Sequence, residues 1–345
     1  MSNFFTLRDQ KNIQQISKYL DKLPPFCLDF FLEKETTSST GTRLAFAIDL
    51  AVFFDFIGKY KFSKPAQSID FSDINKITST DISGFLSYLS YYEYGGKTYQ
   101  NGNNGKSRKL ASVRGLFKWL FRKNLIESDA AAKVDTPKKH EKPIIRLESA
   151  EVVKILDTTE DGSVQMSRRQ AKYLQNTSAR DTAIITLFLS TGIRVSELVG
   201  LDVKDFDFKN NAFKITRKGG NQTILYFTDE TKAALLKWLE IRNNSGVPED
   251  ESAMFTSLQK KRLTVRAVEY VVKKYAKFVN PLKKISPHKL RSTFGTNLYR
   301  KTGDIYMVAD VLGHQDINIT KRHYAAIAED SKKTAAQIIK LRENK

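Results

Sequence analysis

The sequence predicts a mainly α-helical protein with one small antiparallel β-sheet, divided into two domains. Three observations predict this. Apolar residues recur at helical spacing along most of the 345-residue chain. One alternating region, 206–227, reads as strands. Between the two halves, Thr136-Pro137-Lys138-Lys139-His140-Glu141-Lys142-Pro143 joins two prolines to heavy charge, as an exposed interdomain linker does.

Taken in order, residues 1–136 read as a helical domain, with 43–60, 81–94 and 108–124 each carrying apolar residues at helical spacing. The linker is placed at 137–147, with His140 as a solvated residue in it. The second domain, 148–345, opens with a helix near 149–156 and a polar stretch over 157–178. An apolar helix, 181–189, then leads into Thr191-Gly192-Ile193-Arg194. Strands are expected at 206–208, 212–217 and 223–227, separated by Lys209-Asn210-Asn211 and Lys218-Gly219-Gly220-Asn221-Gln222. Helices resume to the end, and no internal repeat or low-complexity tract is found.

Apolar residues make up 41% and charged residues 28%, which is the balance of a globular chain rather than a disordered one. Lysine and arginine outnumber aspartate and glutamate 57 to 38, and a formal charge of +19 favours a polyanion as partner. Cys27 is the single cysteine, so an intramolecular disulfide and a thiolate metal cluster are excluded. Residues 1–15 lack the apolar core of a signal peptide, and the most apolar stretch, 44–57, is interrupted by Asp49 and Asp55. No membrane association is expected, and the compartment is read as cytoplasmic, at the nucleoid.

Two fragments resemble phosphate loops, Gly95-Gly96-Lys97-Thr98 and Gly105-Lys106-Ser107. The required upstream glycine is replaced by Tyr91 and Gln100, so both read as plain loops and ATP is not implied. Between 97 and 123 lysines and arginines cluster with no acid among them. On a helix Arg114, Lys118 and Arg122 share one face, and Val113, Phe117, Leu120 and Phe121 take the other. The absence of compensating acids favours phosphate contact over a merely solvated face. Arg194 follows a glycine turn at a helix start, where its planar fork suits a phosphate; an ordinary ion pair with Glu197 fits the same spacing. Lys218 sits at the tip of the expected hairpin.

The last sixty residues hold three of the four histidines, in Ser286-Pro287-His288-Lys289-Leu290-Arg291, Val311-Leu312-Gly313-His314 and Lys321-Arg322-His323-Tyr324. Their spacing does not suit a metal site. Together they supply cations, proton carriers and a hydroxyl nucleophile, the needs of metal-free phosphodiester cleavage.

With these residues in view, the chain resembles the tyrosine recombinases, and among them the Xer branch that resolves chromosome dimers. The resemblance rests on Thr191-Gly192-x-Arg194-x-Ser196-Glu197-Leu198-Val199-Gly200-Leu201, the Lys218 hairpin, His288-x-x-Arg291, Leu312-Gly313-His314 and Tyr324. It spans essentially the whole chain, and the polar stretch is similar to that of the Xer subgroup in which one protein does the work of the usual pair. It implies a C-shaped clamp on double-stranded DNA: a helical, SAM-like core-binding domain at 1–136, a catalytic domain at 148–345, and a C-terminal helix, 329–345, exchanged between subunits. In it Tyr324 attacks the scissile phosphate, leaving a 3′-phosphotyrosyl link, and Arg194 and Arg291 clamp the non-bridging oxygens. Lys218 protonates the leaving oxygen, and His288 and His314 bond the phosphate, with His288 as candidate base. Glu197 supports this shell. The helix containing Ser107-Arg108-Lys109-Leu110 resembles the family's DNA-facing helix, so Lys106, Arg108, Lys109, Arg114, Lys118 and Arg122 are expected on DNA. The implied assembly is a homotetramer on paired half-sites, with a DNA translocase as candidate partner and no cofactor, metal or ATP. The chemistry is equally that of a mobile-element integrase, while a catalytically dead DNA-binding relic is disfavoured by the complete residue set. The chain departs from the family pattern in one place: His314 and Tyr324 are ten positions apart, one more than usual, with His323 in the customary place. We read this as a one-residue loop insertion.

Overall fold

The N-terminal half runs through α1 (Asn3–Leu20), α2 (Cys27–Thr37), α3 (Thr40–Ile57), α4 (Phe71–Asn75), α5 (Ser79–Tyr88), a hairpin of β1 (Tyr92–Tyr94) and β2 (Lys97–Tyr99), and α6 (Asn103–Arg122). The structure, a computed structural model, describes residues 3–138, 145–161, 177–217, 220–314, 316–317 and 321. It divides into two units, 3–142 and 143–345. Most of the expected linker, the middle of the polar stretch, Lys218, His323, Tyr324 and the C-terminal helix 329–345 lie outside the described residues.

The first unit is built around α3, which is apolar nearly all round and packs against α1, α2, α5 and α6. Phe53 at its centre meets Phe54, Phe85 and Phe117 edge-on, with ring centroids 5.2–6.2 Å apart. Each such buried ring contributes about 1.5–3 kcal/mol. Val113, Phe117 and Leu120 of α6 join this core as expected, but Phe121 does not: it is 48% exposed.

The expected helix over 81–94 is corrected. It stops at Tyr88, and 92–99 forms a two-stranded hairpin whose closing pair is Tyr94 and Lys97. Gly95 and Gly96 both have positive φ, +58° and +72°, as a tight hairpin turn between right-twisted strands demands. Two triplets bearing tyrosines around a Gly-Gly pair were the signal; measured only against the phosphate-loop pattern, the glycines read as an unstructured loop.

A second correction falls on α6. Its cations do have a compensating acid, supplied by α3. Asp49, wholly buried, accepts from Arg108 Nη1 at 2.6 Å, Lys109 Nζ at 3.1 Å and Ser112 Oγ at 2.9 Å. Lys109 is therefore a core ion-pair residue rather than a phosphate ligand. Arg114 is likewise engaged: it donates to the carbonyls of Ala131 and Val134 and to Thr136 Oγ1, pinning the segment after α6 back onto the helix. We expect Asp49→Ala to lower stability by about 3–5 kcal/mol, because it strands the buried ammonium of Lys109. Urea unfolding of the variant checks this, and a loss below the cost of a surface substitution would mean the cations find other partners.

In the second unit the helices are α7 (Ser149–Asp161), α8 (Ser178–Thr191), α9 (Val195–Val199), α10 (Asp229–Asn244), α11 (Val265–Val279), α12 (Pro287–Thr302) and α13 (Ile305–Leu312). Helix α8 is central: residues 180–188 are all buried, and α7, α10 and α12 pack on it. Its one buried acid, Asp181, is held by Arg180, Lys274 and Tyr275. The sheet has the order β3 (Phe206–Asp207), β4 (Ala212–Thr216), β5 (Gln222–Tyr226), antiparallel throughout, with Phe213 opposite Leu225 and Ile215 opposite Thr223. Among the described residues no helix is long and apolar enough to cross a membrane.

Candidate active site

The site starts at Gly192, which ends α8 in a left-handed conformation, φ +61°, with its N–H on Phe188 O at 3.0 Å. A Cβ here would stand 2.5 Å from Phe294 Cδ1 and 2.8 Å from Leu312 Cδ2, so only glycine fits. The reversal delivers Arg194 to the N-cap of α9. Glu197, buried at the third position of that helix, then closes back on it: one carboxylate oxygen takes the Arg194 backbone N–H at 2.9 Å, the other takes Nη1 at 2.8 Å. The ion pair and the site reading thus coexist, since Arg194 Nη2 continues to Gly313 O at 3.0 Å.

Proline at the first position of α12 fixes its start, and His288 and Arg291 follow within the first two turns. Arg291 is only 6% exposed. Its Nη1 donates to Gly192 O at 2.6 Å and its Nη2 to Leu312 O, so one guanidinium joins the end of α8 to the end of α13. His288 faces outward beside it. Partial burial, and then the charges of Lys289, Arg291 and Arg194, hold its imidazole below the usual histidine range. It is therefore a neutral proton acceptor at neutral pH.

Helix α13 is short and capped at both ends. Asp304 accepts from the N–H groups of Tyr306 and Met307, and Gly313 ends the helix at φ +61°. His314 comes next, its N–H on Ala309 O at 2.9 Å. Of the described part of the expected constellation, Arg194 and Arg291 thus meet on the Leu312-Gly313-His314 turn, Glu197 holds Arg194, and His288 lies within electrostatic reach of both arginines. Lys218 and Tyr324 lie outside the described residues.

Arg217, which is not among the residues expected at the site, also reaches it. Its Nη2 donates to Val311 O at 3.0 Å, against the same turn. Partial burial leads the lowering of its pKa, with Arg194 adding to it and Glu197 and Asp310 opposing it. A signal was available: strand alternation carries the buried face of Phe213 and Ile215 on to position 217, where an inward arginine calls for a partner. A neutral imidazole and several fixed guanidinium groups at one surface suit a phosphate and its charged transition state.

Residues 146–331 match the model of the phage integrase family. The chain belongs to that family. It is a Xer-like tyrosine recombinase, an enzyme of site-specific recombination. The tyrosine recombinase XerC of Caldanaerobacter subterraneus subsp. tengcongensis is 34% identical over 313 residues, covering 87% of this recombinase and 82% of that protein. The tyrosine recombinase XerS of Streptococcus thermophilus is 28% identical, covering 94% of this chain and 97% of that one. Among solved structures, the XerH site-specific recombinase bound to a palindromic difH substrate, in a post-cleavage complex, shares the fold: the TM-score is 0.66 at 21% identity, over 91% of this chain and 85% of that one.

Proposed function

We propose that this recombinase cleaves and rejoins double-stranded DNA at paired half-sites to resolve chromosome dimers, working without a second recombinase. The hydroxyl of Tyr324 attacks the scissile phosphorus and the bond to the 5′ oxygen breaks, giving a 3′-phosphotyrosyl ester and a 5′-hydroxyl. His288 takes the tyrosine proton, and Lys218 gives one to the leaving oxygen. Arg194 and Arg291 stabilise the charge that builds on the non-bridging oxygens, and His314 bonds the same phosphate. Rejoining runs the steps in reverse, and because the ester conserves the bond no ATP is consumed. The observation that carries this reading is the meeting of Arg194 and Arg291 on the adjacent carbonyls of Gly313 and Leu312, with His288 within electrostatic reach of both guanidinium groups. In the assembly proposed, the helical unit and the catalytic unit clamp the duplex, four copies form the recombining complex, and helix 329–345 docks on a neighbouring copy.

The deciding experiment presents purified protein with a nicked suicide duplex of its cognate site, on which a cleaved strand fragment diffuses away. A denaturation-resistant protein–DNA adduct is expected; its absence on a bound site would remove the phosphotyrosyl mechanism. Recombination of two full sites by this protein alone tests whether one recombinase suffices.

Two expectations follow for its dependence on solution conditions. A base whose pKa is depressed stays neutral to lower pH, so cleavage under limiting DNA should hold steady through the ordinary histidine range, ~6.5, and fall only below it. His288→Gln should be slow and lack that acid limb; an unaltered limb in the variant assigns it to another group. For binding, Lys118 and Arg122 are the exposed members of the α6 stripe, flanked by Lys106 on Ser90 and by Arg108. Replacing Lys118 or Arg122 by glutamine should each reduce the slope of log K against log salt by roughly 0.9. Arg114→Gln should lower stability instead, since its donors are committed to the backbone. An unchanged slope for Lys118→Gln and Arg122→Gln would return this face to ordinary solvation.

A further inference from the structure

The last carbonyls of a helix have no partners within it, and at the end of α13 every one of them is accounted for. Ala309 O and Asp310 O accept from the N–H groups of His314 and Gly313. The next three carbonyls accept from three arginines carried by three different elements: Val311 O from Arg217, Leu312 O from Arg291, and Gly313 O from Arg194. Two of those arginines are already placed in the reaction. The third has no assigned role.

We propose that Arg217 is a positioning residue for strand cleavage, tying the Lys218 hairpin to the turn that carries His314. The proposal rests on the reading of the active site above. Arg217 directly follows β4 and directly precedes Lys218 in the chain, so its grip on Val311 O fixes the base of that hairpin relative to α13. Its guanidinium also presses against the turn itself: a Cβ on Gly313 would come within 1.0 Å of Arg217 Nη1. Its Nε is buried with no hydrogen-bond partner among the described residues, and Arg194 stands close enough to repel it. Packing alone would be better served by a neutral side chain here. What the arginine adds is a planar group that reaches Val311 O while filling the space opposite Gly313, which a flexible lysine does not do. Both of its committed contacts are to the protein, so its effect on the phosphate is exerted through His314 and Lys218.

The test measures half-site affinity by gel shift and single-turnover cleavage of the suicide duplex, for wild type, Arg217→Lys and Arg217→Ala. Affinity should be unchanged, while cleavage by bound enzyme falls about 10²-fold, as expected for a misplacement on the order of 1 Å. Millimolar methylguanidinium should restore part of the rate to Arg217→Ala and none to Arg217→Lys, whose own side chain occupies the space. A purely structural residue would lower the melting temperature without changing the rate of folded, bound enzyme, and that result overturns the proposal. So does an affinity that falls in step with the rate, which would make Arg217 a DNA ligand. If Arg217→Ala does not fold, Arg217→Lys decides on the same two measurements. A wild-type protein that forms no adduct defeats the active-site reading itself; a wild-type adduct with unimpaired variants defeats this inference alone.

Discussion

Tyr324→Phe should bind a half-site with wild-type affinity and give no denaturation-resistant adduct. The substitution removes a single oxygen and leaves the cationic residues that hold the phosphate in place, so the binding that depends on them is retained. What is lost is the oxygen proposed to form the ester. A free tyrosine has a pKa of ~10, and at neutral pH it becomes a nucleophile only beside a base and fixed positive charge. In the mechanism proposed above, Arg194 and Arg291 supply that charge and the neutral imidazole of His288 supplies the base. The companion variant, His323→Ala, should keep the adduct, since a one-residue insertion after His314 leaves Tyr324 as the nucleophile. An adduct from Tyr324→Phe would pass the role to another side chain and show that the last motif had been aligned out of register. Loss of the adduct in His323→Ala with binding intact would count against the insertion.

The contrast between these residues and those of α6 shows what sequence could reveal. Arg194, Glu197 and Gly192 are legible because their geometry is local: a left-handed turn, an N-cap and a carboxylate three residues on, all within one short segment. The sheet was legible for the same reason, since alternation along 206–227 fixes its inward face. Asp49 and Lys109 were not. They meet across sixty residues of sequence, and a run of cations with no acid nearby looks uncompensated until the chain is folded. In the sequence Asp49 reads only as a break in an apolar stretch, although a carboxylate buried in such a helix must find a partner somewhere. Arg114 was misjudged likewise, because its acceptors are backbone carbonyls, and these leave no trace in residue identity. Arg217 falls between the two cases. Its inward register is readable, but the carbonyl it meets lies on an element that strand periodicity does not locate.

Arg291→Lys is expected to separate fold from chemistry within one side chain. The charge is kept, so attraction for DNA as a whole should change little. The fork is lost. One guanidinium now spans Gly192 O and Leu312 O, and a single ammonium on a flexible stem cannot hold both at once. One buried carbonyl is left without its donor, at a cost of about 1–3 kcal/mol, visible as an earlier urea midpoint. Those two carbonyls end α8 and α13, the helices that deliver Arg194 and His314. Loosening them spreads Arg194 and His314 apart, and in the mechanism proposed above a planar donor to the phosphate oxygens is lost as well. Cleavage of the suicide duplex by bound enzyme should therefore fall by about 10²–10³, the usual cost of removing one preorganised transition-state donor. The two measurements are needed side by side. A lower midpoint with near-wild-type cleavage by folded protein would make Arg291 a structural tie and the His288-x-x-Arg291 match fortuitous. Loss of cleavage with an unchanged midpoint would mean that its bonds to Gly192 and Leu312 are dispensable. Only loss of both, with half-site binding preserved, agrees with a guanidinium that anchors the turn and serves the phosphate.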